Sequence, residues 1–70
     1  MNPHRYLSPS GLSAWTFNFP FRSTGRVFAK HESRDDIHRE EWALVERRTV
    51  STVSALRAIE RLKKAGWKAG

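Results

Sequence analysis

The side chains of this sequence that are best suited to chemistry are cations in pairs and short stripes. Arg57, Arg61 and Lys64 follow helical spacing, which places them on one face of a helix. Arginine binds carboxylate or phosphate groups through two parallel hydrogen bonds, and lysine supplies a compact positive charge. We therefore predict a partner-binding surface made of Arg5, Arg22, Arg26, Arg47, Arg48, Arg57, Arg61, Lys64 and Lys68.

A purely solubilising role is the alternative for these cations, because many charged helix faces only contact water. The composition of the C-terminal segment favours binding, since Glu60 is the one acidic residue between positions 49 and 70. The formal net charge is +6, and segments 1–31, 32–48 and 49–70 carry +4, −2 and +4. Charge of this sign attracts nucleic acids and acidic protein surfaces.

An aromatic row follows the N-terminal segment. Its members alternate along residues 14–21 and would share one face of a strand: Trp15, Phe17, Phe19 and Phe21. Aromatic side chains on a sheet can stack on unpaired bases. A domain of 70 residues has few large apolar groups to spare, so we expect the row to form the hydrophobic core instead.

Patterns typical of catalysis or metal binding find no support. His31, Glu32, Asp35 and His38 are close in sequence, but their spacing differs from that of structural zinc sites, and the chain has no cysteine. There is no glycine-rich phosphate loop, and no serine has a histidine and a carboxylate at motif spacing. We predict a non-enzymatic protein with no metal and no other cofactor.

The elements that position these side chains follow from hydrophobic periodicity. Proline, glycine and serine interrupt residues 1–13, which predicts a flexible basic tail, and residues 14–70 would form a single small α+β domain. Alternation predicts strands over 14–21 and 26–30, joined as a hairpin. Residues 42–50 are rich in β-branched and aromatic side chains, which favours a third strand.

The C-terminal segment has the pattern of an amphipathic helix. Apolar residues at Ala55, Leu56, Ile59 and Leu62 predict a helix over residues 51–65. Ser51 or Thr49 would cap its start, and Gly66 would end it. The predicted fold class is therefore α+β, with a small antiparallel sheet packed against one C-terminal helix.

Residues 34–48 allow a second interpretation. Ser33 followed by Asp35 and Asp36 has the pattern of a helix start, with a capping side chain and acids in the first turn. If this segment were helical, it would form a helix-turn-helix pair with the C-terminal helix.

We expect the protein to be a cytoplasmic monomer. Its longest apolar run, residues 42–45, is far shorter than the roughly 18–20 residues of a membrane helix. The N-terminal residues lack the apolar stretch of a signal peptide.

In size, charge and layout the sequence resembles the small transcription regulators that lytic bacteriophages encode against host RNA polymerase. The resemblance rests on a tiny domain without catalytic residues and on the basic positions Arg5, Arg22, Arg26, Arg57 and Arg61. It implies a protein that docks on RNA polymerase in the host cytoplasm and inhibits initiation or modifies termination. The alternative is direct binding of DNA or RNA by the basic helix face or by a helix-turn-helix-like C-terminal half.

Overall fold

A five-stranded antiparallel sheet with one helix against it is formed by residues 4–19 and 25–70, which the computed structural model describes. The elements in chain order are β1 (His4–Leu7), β2 (Ser13–Asn18), β3 (Arg26–Ser33), β4 (Ala43–Ser51), α1 (Thr52–Lys64) and β5 (Lys68–Ala69). In space the strand order is β4-β3-β2-β1-β5. The predicted α+β class, with a sheet packed against one C-terminal helix, is confirmed.

The hydrophobic core lies between α1 and the sheet face that it covers, which we call the inner face. Strand alternation turns Phe17 and Val27 toward the helix, where they join Ala55 and Ile59 in one cluster. Phe17 is only 2% exposed. Burial of this cluster supplies the main driving force for folding in so small a domain.

The three described members of the aromatic row belong to this core, as predicted. Phe17 is a central member, and Trp15 and Phe19 are partly buried and pack against it. Phe21 lies outside the described residues.

Strand β4 settles the conformation of the segment with two interpretations. It pairs with β3 from Arg26 opposite Ser51 to Ser33 opposite Ala43, with a bulge at Val45. The favoured third strand is confirmed, and the alternative helix-turn-helix pair is wrong, because a strand precedes α1. The β-branched side chains of this segment suit a pleated strand better than a helix.

Residues 34–42 connect β3 to β4 without a helix, so the predicted helix start at Ser33 is wrong as well. The carboxylate of Asp35 accepts a hydrogen bond from the backbone amide of His38 at 2.6 Å. This capping bond closes a single turn that does not continue.

The predicted flexible tail is wrong over residues 4–13, whereas residues 1–3 lie outside the described part. β1 pairs with β2 from His4 opposite Phe17 to Leu7 opposite Ala14, and Tyr6 is buried in the core. Gly11, at a φ of 76°, allows the tight turn between the two strands.

Both ends of α1 are closed as the sequence predicts. The Ser51 hydroxyl accepts a hydrogen bond from the Ser54 amide at 3.1 Å. Gly66 has a φ of 92°, and the Trp67 amide donates to the Leu62 carbonyl at 2.9 Å, which completes a Schellman motif. β5 then pairs with β1 on the edge that β2 leaves free, a pairing that the sequence pattern did not predict.

Replacing the core phenylalanine tests this packing. We expect Phe17→Ala to lower the free energy of unfolding by about 3–5 kcal/mol, because truncating a buried phenylalanine leaves a cavity. The measurement is urea unfolding followed by circular dichroism. Phe28→Ala is the matched control: Phe28 is 58% exposed, so its truncation should cost less than about 1 kcal/mol. Equal losses for the two variants would contradict the assignment of the inner face as the core.

Candidate functional site

A groove lined by arginines runs between α1 and the inner face of the sheet. It encloses about 430 Å³. Apolar side chains form its floor: Phe17, Ala29, Val50, Ala58 and Leu62. The remaining lining residues are Trp15, Arg48, Ser54, Arg57 and Arg61. We call this feature the arginine groove.

The groove exists because small side chains occur where the helix meets the sheet. Ala29 on β3 and Ala58 on α1 both line it, and neither side chain reaches far enough to fill the space. Arg57 and Arg61 are one helical turn apart, so both line the groove from the same side of α1. Arg48 reaches the groove from β4, where it lies opposite Ala29 and shares its face.

Two of the three arginines have no acidic partner in the described part of the chain. Arg48 forms an ion pair with the carboxylate of Glu46 at 2.9 Å. No described carboxylate lies within ion-pair distance of Arg57 or Arg61. The groove therefore carries uncompensated positive charge beside an apolar floor, which suits an anionic ligand with an apolar portion.

Trp15 forms an aromatic wall of the groove. Its indole stacks on the imidazole of His31, with ring centroids 4.6 Å apart and planes 7° from parallel. The alternation pattern predicted a core role for Trp15, with stacking on bases as the alternative, and did not indicate its place in the groove wall. The available signal was its place at the N-terminal end of the aromatic row, and its ring also stacks on that of Phe17, with centroids 6.0 Å apart.

The structure brings together three of the nine predicted binding residues, namely Arg48, Arg57 and Arg61. The other described ones lie elsewhere: Arg26 and Arg47 on the opposite, outer face of the sheet, Lys64 at the end of α1, and Lys68 on β5. Arg22 lies outside the described residues. Arg5 is held on the outer face by Glu32, with a nitrogen–oxygen distance of 3.7 Å.

A second cluster on the outer face was not predicted. The guanidinium groups of Arg5 and Arg34 lie over the indole ring of Trp42, at 5.0 and 4.2 Å from its centroid. Arg34 also donates to the Gly11 carbonyl at 2.9 Å. These contacts hold the 34–42 connection against β1 and the turn that follows it. We call this feature the Trp42 cluster.

The four side chains that are close in sequence and could ligate a metal, His31, Glu32, Asp35 and His38, do not converge on one site. His31 stacks on Trp15 at the inner face, whereas Glu32 is on the outer face, opposite Ala14. Asp35 and His38 contact each other in the 34–42 connection, with an oxygen–nitrogen distance of 3.3 Å. Residues 4–19 and 25–70 contain no cluster of three or more such side chains that could hold a metal ion.

No helix in the described ranges has the length and hydropathy to cross a bilayer. Comparison of the chain with protein-family models, curated proteins and solved structures gives no match. Function is therefore inferred from the arrangement of the residues themselves.

The turn at Asp35 gives a pH-dependent prediction. Hydrogen bonds from the His38 backbone amide, and then from its side chain, lower the pKa of Asp35 below its usual 3.8. A lowered folded-state pKa stabilises the fold above the unfolded value, and this contribution is lost as the pH falls through the folded value. We expect the Asp35 carboxyl carbon to titrate by NMR with a midpoint below 3.8. A midpoint at or above that value would contradict the hydrogen-bonded turn.

Proposed function

We propose that this protein is a non-enzymatic docking module whose arginine groove binds an acidic segment of a larger protein, and that this partner is RNA polymerase. The observation that carries the proposal is the convergence of Arg48, Arg57 and Arg61 on a groove with an apolar floor. By binding there, the protein would inhibit initiation or modify termination.

The shape of the groove favours an acidic protein segment over duplex DNA. A duplex contacts proteins chiefly through its charged backbone, so it would meet the exposed arginines and leave the apolar floor unfilled. A segment with aspartate or glutamate beside an apolar side chain satisfies both parts of the groove. Each carboxylate would accept paired hydrogen bonds from a guanidinium group, and the apolar side chain would leave water for the floor.

The lining residues support a binding role rather than catalysis. Among the described residues of the groove, Ser54 is the one hydroxyl, and there is no histidine or carboxylate that would act as a general base toward it. Ser54 is instead occupied at the start of α1, where its hydroxyl contacts that of Ser51 at 3.0 Å.

The choice of RNA polymerase is supported by the resemblance to small phage regulators. A compact cationic domain also suits such a large acidic target, because complementary charge accelerates encounter and orients the two proteins.

Neutralising the groove tests the proposal. We expect Arg57→Gln/Arg61→Gln to weaken binding at least about tenfold, since each arginine would lose charge-assisted hydrogen bonds to the partner. Both residues are exposed, so the free energy of unfolding should change by less than about 1 kcal/mol. The measurement is a tagged pulldown from bacterial lysate with quantification of RNA polymerase subunits, followed by titration against the purified polymerase.

The matched control is Lys30→Gln/Arg47→Gln, which removes the same amount of charge from the outer face. This variant should retain polymerase as the wild type does. Equal losses for the two variants would show that only net charge matters and would overturn the groove as the docking site. Capture of a different acidic protein, lost in the groove variant alone, would retain the groove and reject the polymerase.

A further inference from the structure

An aromatic side chain lies uncovered on the outer face of the sheet. Phe28 is 58% exposed, although its strand β3 lies between β2 and β4 in the interior of the sheet. α1 covers the opposite face, and the Trp42 cluster lies against Arg5 on β1, two strands away from β3. Exposing such a large apolar ring to water is unfavourable in free energy, and a partner that stacks on the ring would remove this unfavourable contribution.

Cations flank this ring along its own strand. Alternation puts Arg26, Phe28 and Lys30 on the same face, so each cation is two positions, or about 7 Å, from the phenylalanine. Arg47 lies directly opposite Lys30 on β4 and faces the same side. Three cations, Arg26, Lys30 and Arg47, therefore lie near the exposed ring on the outer face.

Polar side chains complete the surroundings of Phe28. Asn18 on β2 and Thr49 on β4 lie directly opposite it, one on each side. Together with Lys30 and Arg47 they line a shallow hollow of about 480 Å³. An amide and a hydroxyl both donate and accept hydrogen bonds, as recognition of base edges or sugar hydroxyls requires.

The charge of this patch is poorly compensated. Strand residues 16–18, 26–30 and 47–51 contain no acidic residue. Lys30 approaches Glu32 at 3.8 Å, but no described carboxylate lies within ion-pair distance of Arg47. Like charges directly opposite each other in a sheet are destabilising, and a bound polyanion would relieve the repulsion between Lys30 and Arg47. The positive charge of the patch also disfavours pairing with the same face of a second copy, because the two faces would repel each other.

We propose that the outer face binds single-stranded nucleic acid, with a base stacked on Phe28 and phosphates held by Arg26, Lys30 and Arg47. A flat sheet with one exposed ring is open to an unpaired base, whereas a duplex keeps its base faces stacked inside. This site is on the opposite face of the sheet from the arginine groove and does not depend on the function proposed for the groove.

Fluorescence anisotropy with the full chain and labelled oligonucleotides of about 12 nucleotides tests the proposal. The probes are oligothymidine, oligouridine and a duplex of the same length. We expect at least one single strand to bind about tenfold or more tighter than the duplex. Three neutralised phosphates predict a slope of about −2 for log affinity against log salt.

The decisive variants change the ring and the cations separately. Phe28→Leu keeps an apolar side chain without the aromatic face, and it should weaken single-strand binding about fivefold or more while the salt slope stays the same. Phe28→Trp should bind within about twofold of the wild type or tighter. Lys30→Gln/Arg47→Gln should make the slope shallower by about 1.4. Thermal unfolding of each variant verifies that it is folded.

Several results would overturn the proposal. If Phe28→Leu bound the single strand as tightly as the wild type, base stacking on Phe28 would be ruled out. If the wild type bound duplex and single strand with equal affinity, a preference for single strands would be ruled out. If the wild-type protein were a dimer and the Phe28→Leu variant a monomer, the patch would be a self-association surface instead. If Phe28→Leu failed to fold, Phe28→Trp and the cation variant would still decide the matter. Arg57→Gln/Arg61→Gln should leave oligonucleotide binding within about twofold, and an equal loss there would indicate attraction by net charge alone.

Discussion

Contact between the inner face of the sheet and α1 is the interaction on which the rest of the structure depends. Phe17 and Val27 meet Ala55 and Ile59 there, and no described cluster elsewhere gathers so many buried apolar side chains. A small domain has a large surface for its volume, so this single contact takes most of the available apolar residues. The cations are left on the outside, where the strands and the helix determine their positions.

Strand alternation then divides the cations between two surfaces. Arg47 and Arg48 are adjacent in sequence, yet Arg48 lines the arginine groove and Arg47 faces the outer side. Phe28 and Ala29 are divided in the same way, since Ala29 leaves room in the groove while Phe28 is exposed on the other face. The two proposed binding surfaces therefore lie back to back on one sheet.

Local patterns in the sequence were sufficient for the helix, the β2–β3 hairpin and the core role of Phe17. The helix signal was strong because the apolar spacing, the Ser51 cap and Gly66 all agree. β1 and β5 were missed because they are short, at four and two residues, and gain their stability from pairing with each other and with β2. Propensity carries little information over such lengths.

The candidate sites depended on contacts between residues distant in sequence, which no local pattern specifies. The cationic residues were evident from composition, but the meeting of Arg48 with Arg57 and Arg61 requires β4 to lie beside α1. The Trp42 cluster likewise joins β1 to the 34–42 connection. The exposure of Phe28 is the part that the sequence could have predicted. If Val27 and Ala29 point inward, alternation turns Phe28 outward between two cations.

The central claim is that one sheet carries two binding surfaces, and amide chemical-shift mapping by NMR tests it most directly. An acidic peptide and an oligothymidine are added separately to the same labelled protein. Two separate sets of shifts are predicted: the peptide should move the amides of Arg48, Val50 and Ala58, and the oligonucleotide those of Phe28, Lys30 and Thr49. One shared set of shifted amides for both ligands would contradict the division of the cations between two faces.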